Sequence, residues 1–231
     1  MKLVMFDIDG TLTRTNEIDE LCFSKTMREV FGFTGINTDW AAYSHCTDSG
    51  IFDELMRSRL GRSPLAIEVS AAQACFVSLL SAAAASTPFG QIPGAGEFVS
   101  GLISDPDSRF AVSLASGGWE RCARLKLKSA ALQFPDLPAA FSDDALAREE
   151  ILGKSLAKAA AAQGLNSFEA VIYVGDGVWD ARACRKLGLP FIGIADTPAK
   201  AERLFAEGAR RVFNDYRDKA SIMAVLEVIE P

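Results

Sequence analysis

Lys2-Leu-Val-Met-Phe-Asp7-Ile-Asp9-Gly-Thr-Leu-Thr13 carries a short apolar run that delivers two carboxylates and a glycine to its carboxyl end. The run is β-branched and aromatic in part and reads as a buried strand. In an open parallel sheet, ligands sit outside the carboxyl ends of the strands, so chemistry is expected here. In a continuing strand Asp7 and Asp9 share a face, and a turn at Gly10 lets the backbone curl around whatever they hold. Two carboxylates this close need a cation or a shared proton to coexist, and a hard divalent metal is the natural guess. The stretch predicts a metal-assisted site with a carboxylate nucleophile.

Beyond it, residues 14–86 read mainly as helices, at 17–31, 49–60 and 65–86. Pro88, Gly90, Pro93, Gly94 and Gly96 then break the pattern. From there strands alternate with helices: strands at 109–115, 139–141, 170–174, 190–194 and 211–213, helices at 97–103, 119–131, 145–163, 179–187 and 197–207, and a final helix. Alternation of this kind implies right-handed βαβ units and a parallel sheet covered on both faces. The expected fold is α/β, a doubly wound parallel sheet formed by residues 1–14 and 89–231. Residues 15–88 are an inserted helical domain over the carboxyl ends of the strands, where it acts as a lid.

The 231 residues suffice for a core domain with a smaller insertion. The net charge of −6 argues against a nucleic-acid or anionic-membrane binder, since both need a basic face. A small anionic substrate remains open to it, because a local metal reverses the field. The five cysteines (Cys22, Cys46, Cys75, Cys122, Cys184) are odd in number, widely spaced and without a C-x-x-C pair. That usage fits a reducing compartment, and with no charged-then-apolar leader and no run approaching the ~18 apolar residues of a membrane span, the expectation is a cytoplasmic protein.

Asp7-Ile-Asp9-Gly-Thr-Leu-Thr resembles motif I of the haloacid dehalogenase superfamily. The strand ending in Ser116-Gly117-Gly118 looks like motif II, and Asp143-Asp-Ala-Leu-Ala-Arg148-Glu-Glu-Ile-Leu like motif III. Val174-Gly175-Asp176-Gly177-Val-Trp-Asp180 looks like the G-D-x-x-x-D motif IV. The four stand in the family's order, and the resemblance covers essentially the whole chain. It implies a Rossmann-like core with a type-1 helical cap inserted after motif I.

The resemblance also implies roles. Asp7 would attack phosphorus to form an aspartyl-phosphate, splitting one hard displacement into two easier ones. Asp9 would protonate the leaving oxygen and then deprotonate the attacking water. Relatives that cleave carbon–halogen bonds lack this second aspartate, so phosphoryl transfer is favoured. Mg²⁺ would be held by Asp7, the backbone carbonyl of Asp9 and Asp176, with Asp180 on a metal water or serving as a helix N-terminal acid. Ser116 and the amides of Gly117 and Gly118 would hold phosphate oxygens. Arg148 is preferred as the motif III cation, with Lys154 as competitor and Lys158 behind it.

Within the insertion, Tyr43-Ser-His45-Cys-Thr47-Asp48-Ser-Gly50 is the most polar, turn-rich segment, suited to a loop that approaches the core, with Asp48 or Ser49 as a helix N-cap. His45 is the sole histidine and reads as structural or substrate-lining. Arg57, Arg59 and Arg62 read as a solvated face with one of them available to greet an anionic substrate, and Trp119 as core or pocket cover. The cap's only lysine, Lys25, lies early in its first helix, against Schiff-base phosphonate chemistry. The histidine that sugar-phosphate mutase relatives carry after motif I is absent from Arg14-Thr-Asn16-Glu17. The expectation is a Mg²⁺-dependent hydrolase of a small soluble phosphorylated metabolite, monomeric or homodimeric. The alternatives are a phosphotransferase or phosphomutase using the same intermediate, and a non-catalytic regulatory protein on the same fold.

Overall fold

The computed structural model describes residues 1–104, 109–134 and 136–230; Pro231, the last residue assigned to the core, lies outside them. Six strands form one sheet among these residues: β1 (Lys2–Phe6), β2 (Phe110–Ala115), β3 (Ala139–Ala140), β4 (Val171–Gly175), β5 (Phe191–Ile194) and β6 (Arg211–Phe213). All neighbours are parallel, in the order β3-β2-β1-β4-β5-β6, with Val4 of β1 flanked by Val112 and Ile172. The fold is the doubly wound α/β sheet expected from the alternation.

Period-two alternation sends the β1 side chains to opposite faces. Val4 and Phe6 join Val112, Ile172 and Ile192 beneath α4 (Ala95–Ser104), α5 (Glu120–Ser129) and α9 (Lys219–Val228). Leu3 and Met5 join Tyr173 and Phe191 beneath α6 (Arg148–Gln163), α7 (Val178–Leu187) and α8 (Pro198–Ala206). Burial on both faces explains why these strands read as continuous apolar runs. Strand order reverses at β1, and the crevice outside its carboxyl end is where Asp7 and Asp9 emerge.

Between β1 and β2 lie α1 (Asn16–Phe31), a 3-10 turn at Trp40–Ala42, α2 (Asp48–Leu60) and α3 (Ala66–Ser86). The chain enters and leaves this segment side by side: Thr13 bridges Gln91, and the Arg14 amide donates to Gly90 O at 2.8 Å. Its helices close on their own apolar cluster, including Phe23, Phe52, Phe76 and Leu80, which also takes Trp119 and Cys122 from the start of α5. The Trp119 ring lies 6.0–6.3 Å from those of Phe23, Phe52 and Phe76, so this aromatic is core rather than pocket cover. Helix α5 thus serves both clusters, fastening the insertion to the sheet.

One sequence expectation fails here. Helix α3 is long and apolar enough, by length and composition, to cross a membrane, with a mean hydropathy of 1.5 over 18 residues. Its many alanines raise that mean without a continuous bulky run. In the fold it rests Ala72, Phe76 and Leu80 on the insertion's cluster. All five cysteines are free.

Candidate active site

Asp7 extends the β1–β4 ladder, its amide donating to Val174 O at 3.0 Å, and the residue is 4% exposed at the sheet's carboxyl edge. The chain then turns on Gly10, whose φ is +67° and whose Cβ, were there one, would stand 1.9 Å from Asp176 Oδ2. Both the left-handed backbone and the close approach require glycine.

The Asp9 carboxylate is held from below. Lys126 Nζ donates to its two oxygens at 2.8 and 2.7 Å, and Thr15 Oγ1 donates to Oδ1 at 2.5 Å. Lys126 has no exposed surface, also donates to Asp19 of α1, and lies 6.0 Å from the Phe76 ring centroid. The sequence reading missed this lysine. Its signal was present: Cys122, Ala123, Lys126 and Leu127 share the buried face of α5, which places a charge at apolar spacing.

Asp176 follows β4, where Asn16 Nδ2 and Lys200 Nζ donate to its Oδ2 at 2.8 and 2.5 Å. Neither donor was singled out from the sequence, since α8 lies far along the chain and lysine is ordinary on a helix surface. Asp180 accepts the Gly177 amide at 3.0 Å, as a helix N-terminal acid does, and also pairs with Arg148 Nη1 at 2.8 Å. The helix N-terminal reading of Asp180 is met by the Gly177 bond.

Arg148, the first residue of α6, is buried, with Nη1 3.6 Å from Asp7 Oδ1 and Nη2 donating to Cys46 O at 3.0 Å. Lys154 and Lys158 are exposed and bind Asp144, away from the carboxylates. Of the competing cations, the fold brings Arg148 to the cluster. Ser116 is buried, its Oγ accepting the Gly118 amide at 3.3 Å, and a Cβ on Gly117 would meet Arg148 Nη2 at 2.2 Å.

The polar loop of the insertion sits on this edge. The Asp48 amide donates to Gly117 O and its Oδ2 accepts the Trp119 amide, both at 2.8 Å. Ser49 Oγ accepts Trp119 Nε1 at 2.7 Å and donates to Ser142 O at 2.8 Å. Thr47, not Asp48 or Ser49, caps α2 by accepting the Gly50 amide at 3.0 Å, which leaves both neighbours free for these contacts. His45 is exposed. Arg57 pairs with Asp53 and Arg62 with Glu68, while Arg59 donates to Thr34 O, so the three arginines follow the solvated-face reading. Together core and insertion enclose a cleft of about 320 Å³, lined by Asp7, Asp9, Ser116, Gly117, Arg148 and Asp176 from the core.

Burial, then Asp180, drives the Asp7 carboxyl well above the ordinary range; Arg148 opposes, and Asp176 and Asp9 add to the rise. Burial likewise raises Asp180 against the pull of Arg148. Asp7 Oδ1 is buried without a hydrogen-bond partner, Asp180 Oδ1 faces Arg148 Nη1 in an ion pair, and Asp7, Asp176 and Asp180 offer oxygens all within 4.8 Å of one another. Crowded, under-bonded hard oxygens of this kind fit a divalent cation. Asp180 belongs to that cluster more directly than the sequence reading placed it.

A pH dependence follows. A carboxyl whose folded pKa is raised contributes stability below the unfolded value, here 3.8, and loses it as pH climbs to the folded value. Burial, against the pull of Lys126, lifts Asp19 to about 6, and Asp7 moves in the same direction. Metal-free protein is therefore expected to lose thermal stability relative to its Asp7→Asn variant as pH rises above about 4, with Mg²⁺ narrowing the gap. Parallel melting curves with pH would overturn this.

Comparison with known proteins converges on the same reading of the fold. A family model described as haloacid dehalogenase-like hydrolase matches residues 1–188. No curated protein sequence matches the chain. Among solved structures, a hydrolase from Pseudomonas syringae is similar at TM-score 0.74 and 18% identity, with 100% of both chains covered. A putative beta-phosphoglucomutase from Bacteroides vulgatus aligns at TM-score 0.71 and 20% identity over 98% of this chain and 89% of its own. CbbY from Rhodobacter sphaeroides, in complex with phosphate, aligns at TM-score 0.67 and 18% identity over 94% of this chain and 95% of its own. With β1, the Asp7–Asp9 turn and the Asp176–Asp180 segment all inside the matched region, the chain belongs to the haloacid dehalogenase-like hydrolase family.

Proposed function

We propose that the protein is a Mg²⁺-dependent phosphatase acting on a small phosphomonoester, with residues 15–88 as its cap. The observation that carries this reading is Asp7 Oδ1: buried, without a hydrogen-bond partner, 3.6 Å from Arg148 Nη1, and lining a cleft together with the Ser116–Gly118 turn. A carboxylate oxygen in that condition is poised as a nucleophile.

The oxygens of Asp7, Asp176 and Asp180 would hold the cation. Bound there, Mg²⁺ neutralises crowded charge and polarises the phosphoryl group. In the first half-reaction Asp7 forms a bond to phosphorus, the ester P–O bond breaks, and Asp9 gives its proton to the departing alcohol oxygen. In the second, water attacks phosphorus, Asp9 takes up its proton, and the Asp7–phosphorus bond breaks to release inorganic phosphate. Arg148 and the Gly117 and Gly118 amides steady the phosphoryl oxygens. The loop around Asp48, resting on Gly117 and Trp119, keeps bulk water from the cleft.

Assay of inorganic phosphate release from a panel of monoesters, with Mg²⁺ and with chelator, tests this. Metal-dependent release is expected. Phosphoryl groups that move to a second position on the same substrate, with none freed, would replace the hydrolase by a mutase.

A further inference from the structure

Core and insertion line the cleft with side chains that differ in kind. Ser116, Gly117 and Arg148 come from the core. Among the side chains that the insertion lends, Glu17, Asp19, Glu20 and Asp48 are acids, Phe23 and Trp40 are aromatic, and none is cationic. Asp19 is committed to Lys126 and Asp48 to the Trp119 amide. Glu17 and Glu20 have no ion-pair partner among the described residues, and Glu20 is fixed beside an aromatic ring: Trp40 Nε1 donates to its Oε2 at 3.1 Å. Trp40 in turn meets Phe23 edge-on at 5.8 Å between centroids. Arg57, Arg59 and Arg62 of the insertion turn to Asp53, Thr34 and Glu68, and among the described residues no arginine of the insertion lines the cleft. Asp7 Oδ1, buried and without a hydrogen-bond partner although Arg148 Nη1 stands 3.6 Å away, opens on the same cleft and marks it as built for a ligand.

A carboxylate held beside aromatic faces attracts an ammonium group and repels a carboxylate or a second phosphate. We infer that the cap end of the cleft is an ammonium subsite made by Glu17, Glu20, Trp40 and Phe23, and that the substrate is the phosphomonoester of a small amino alcohol. The volume of about 320 Å³ accommodates such a molecule with its phosphate at Asp7 and its ammonium at Glu20. Phosphate placement rests on the phosphatase reading; recognition of the ammonium group does not.

Two arms separate these. In the binding arm, Mg²⁺-loaded protein is titrated with 2-aminoethylphosphonate and with 2-hydroxyethylphosphonate, which carry a C–P bond in place of the ester. The amine is expected to bind on the order of tenfold tighter. That ratio should fall toward one in Glu20→Gln and in Glu17→Gln, both conservative changes at positions outside the cores. In the turnover arm, 2-aminoethyl phosphate is compared with 2-hydroxyethyl phosphate and phosphoglycolate by kcat/KM, with 4-nitrophenyl phosphate as an amine-free reporter. Equal binding of the two phosphonates, or binding of neither, overturns the ammonium subsite. Hydrolysis of 4-nitrophenyl phosphate with no preference for the amine also overturns it while leaving the phosphatase standing. Preferential amine binding with no ester hydrolysed supports the subsite and overturns the phosphatase.

Discussion

Asp7→Asn should abolish phosphate release, lowering kcat on the order of 10³-fold or more, and at the same time stabilise the metal-free protein. The amide keeps the shape of the carboxylate but offers no nucleophilic anion to phosphorus. Its effect on stability has the opposite sign because the wild-type carboxylate is buried among Asp180, Asp176 and Asp9, with Arg148 as the nearby counter-charge. Replacing an ionised group in that setting by a neutral one removes desolvation and like-charge repulsion together. The expected pair of results is therefore a higher melting temperature without Mg²⁺ and a smaller rise on adding it. A variant that melts below wild type at pH 7, or that retains turnover, would show that Asp7 is a structural acid.

That opposition between activity and stability also explains which parts of the molecule were legible in its sequence. The sheet was legible because both of its faces are buried, so β1, β2 and β4 appear as apolar runs whose ends coincide with turn residues. Asp7, Asp176, Asp180 and the Ser116–Gly118 turn were legible because each sits within a few residues of a strand end, where spacing along the chain sets spacing in the site. Arg148 could be ranked above Lys154 only weakly, since all three candidate cations share one helix; the fold separates them by turning Lys154 and Lys158 outward. Lys126, Lys200 and Asn16 come from elements whose approach to the site depends on how helices pack, and no local pattern encodes that. The role of the Asp48 loop was half visible: its polarity announced a contact, but the choice of Thr47 as cap decided which side chains were free to make it.

Lys126→Met tests the least legible of these residues and is expected to have the second-largest effect. The ammonium is fully buried and bound to Asp9 and Asp19, whose charges, with Asp48, outweigh its desolvation and hold its pKa above the ordinary lysine value. Methionine fills similar volume and leaves two carboxylates facing each other with no cation, a loss of about 3–5 kcal/mol when one partner of a buried ionic cluster is removed. Because Lys126 is not among the residues that line the cleft, substrate affinity should change little, whereas misplacing Asp9 by about an ångström should lower kcat about 10²-fold. Lys126→Arg should recover part of kcat, since the charge returns without the point geometry that a single ammonium gives to both Asp9 oxygens. If Lys126→Met proves too unstable to assay, Lys126→Met with Asp19→Asn removes one of the stranded charges and should fold more readily while remaining slow. A folded Lys126→Met enzyme with wild-type kcat, or one whose loss lies wholly in KM, would mean that Lys126 only fastens α1 to α5. A loss confined to kcat and eased by arginine would instead show that this contact between α1 and the core sets the position of the Asp9 carboxylate.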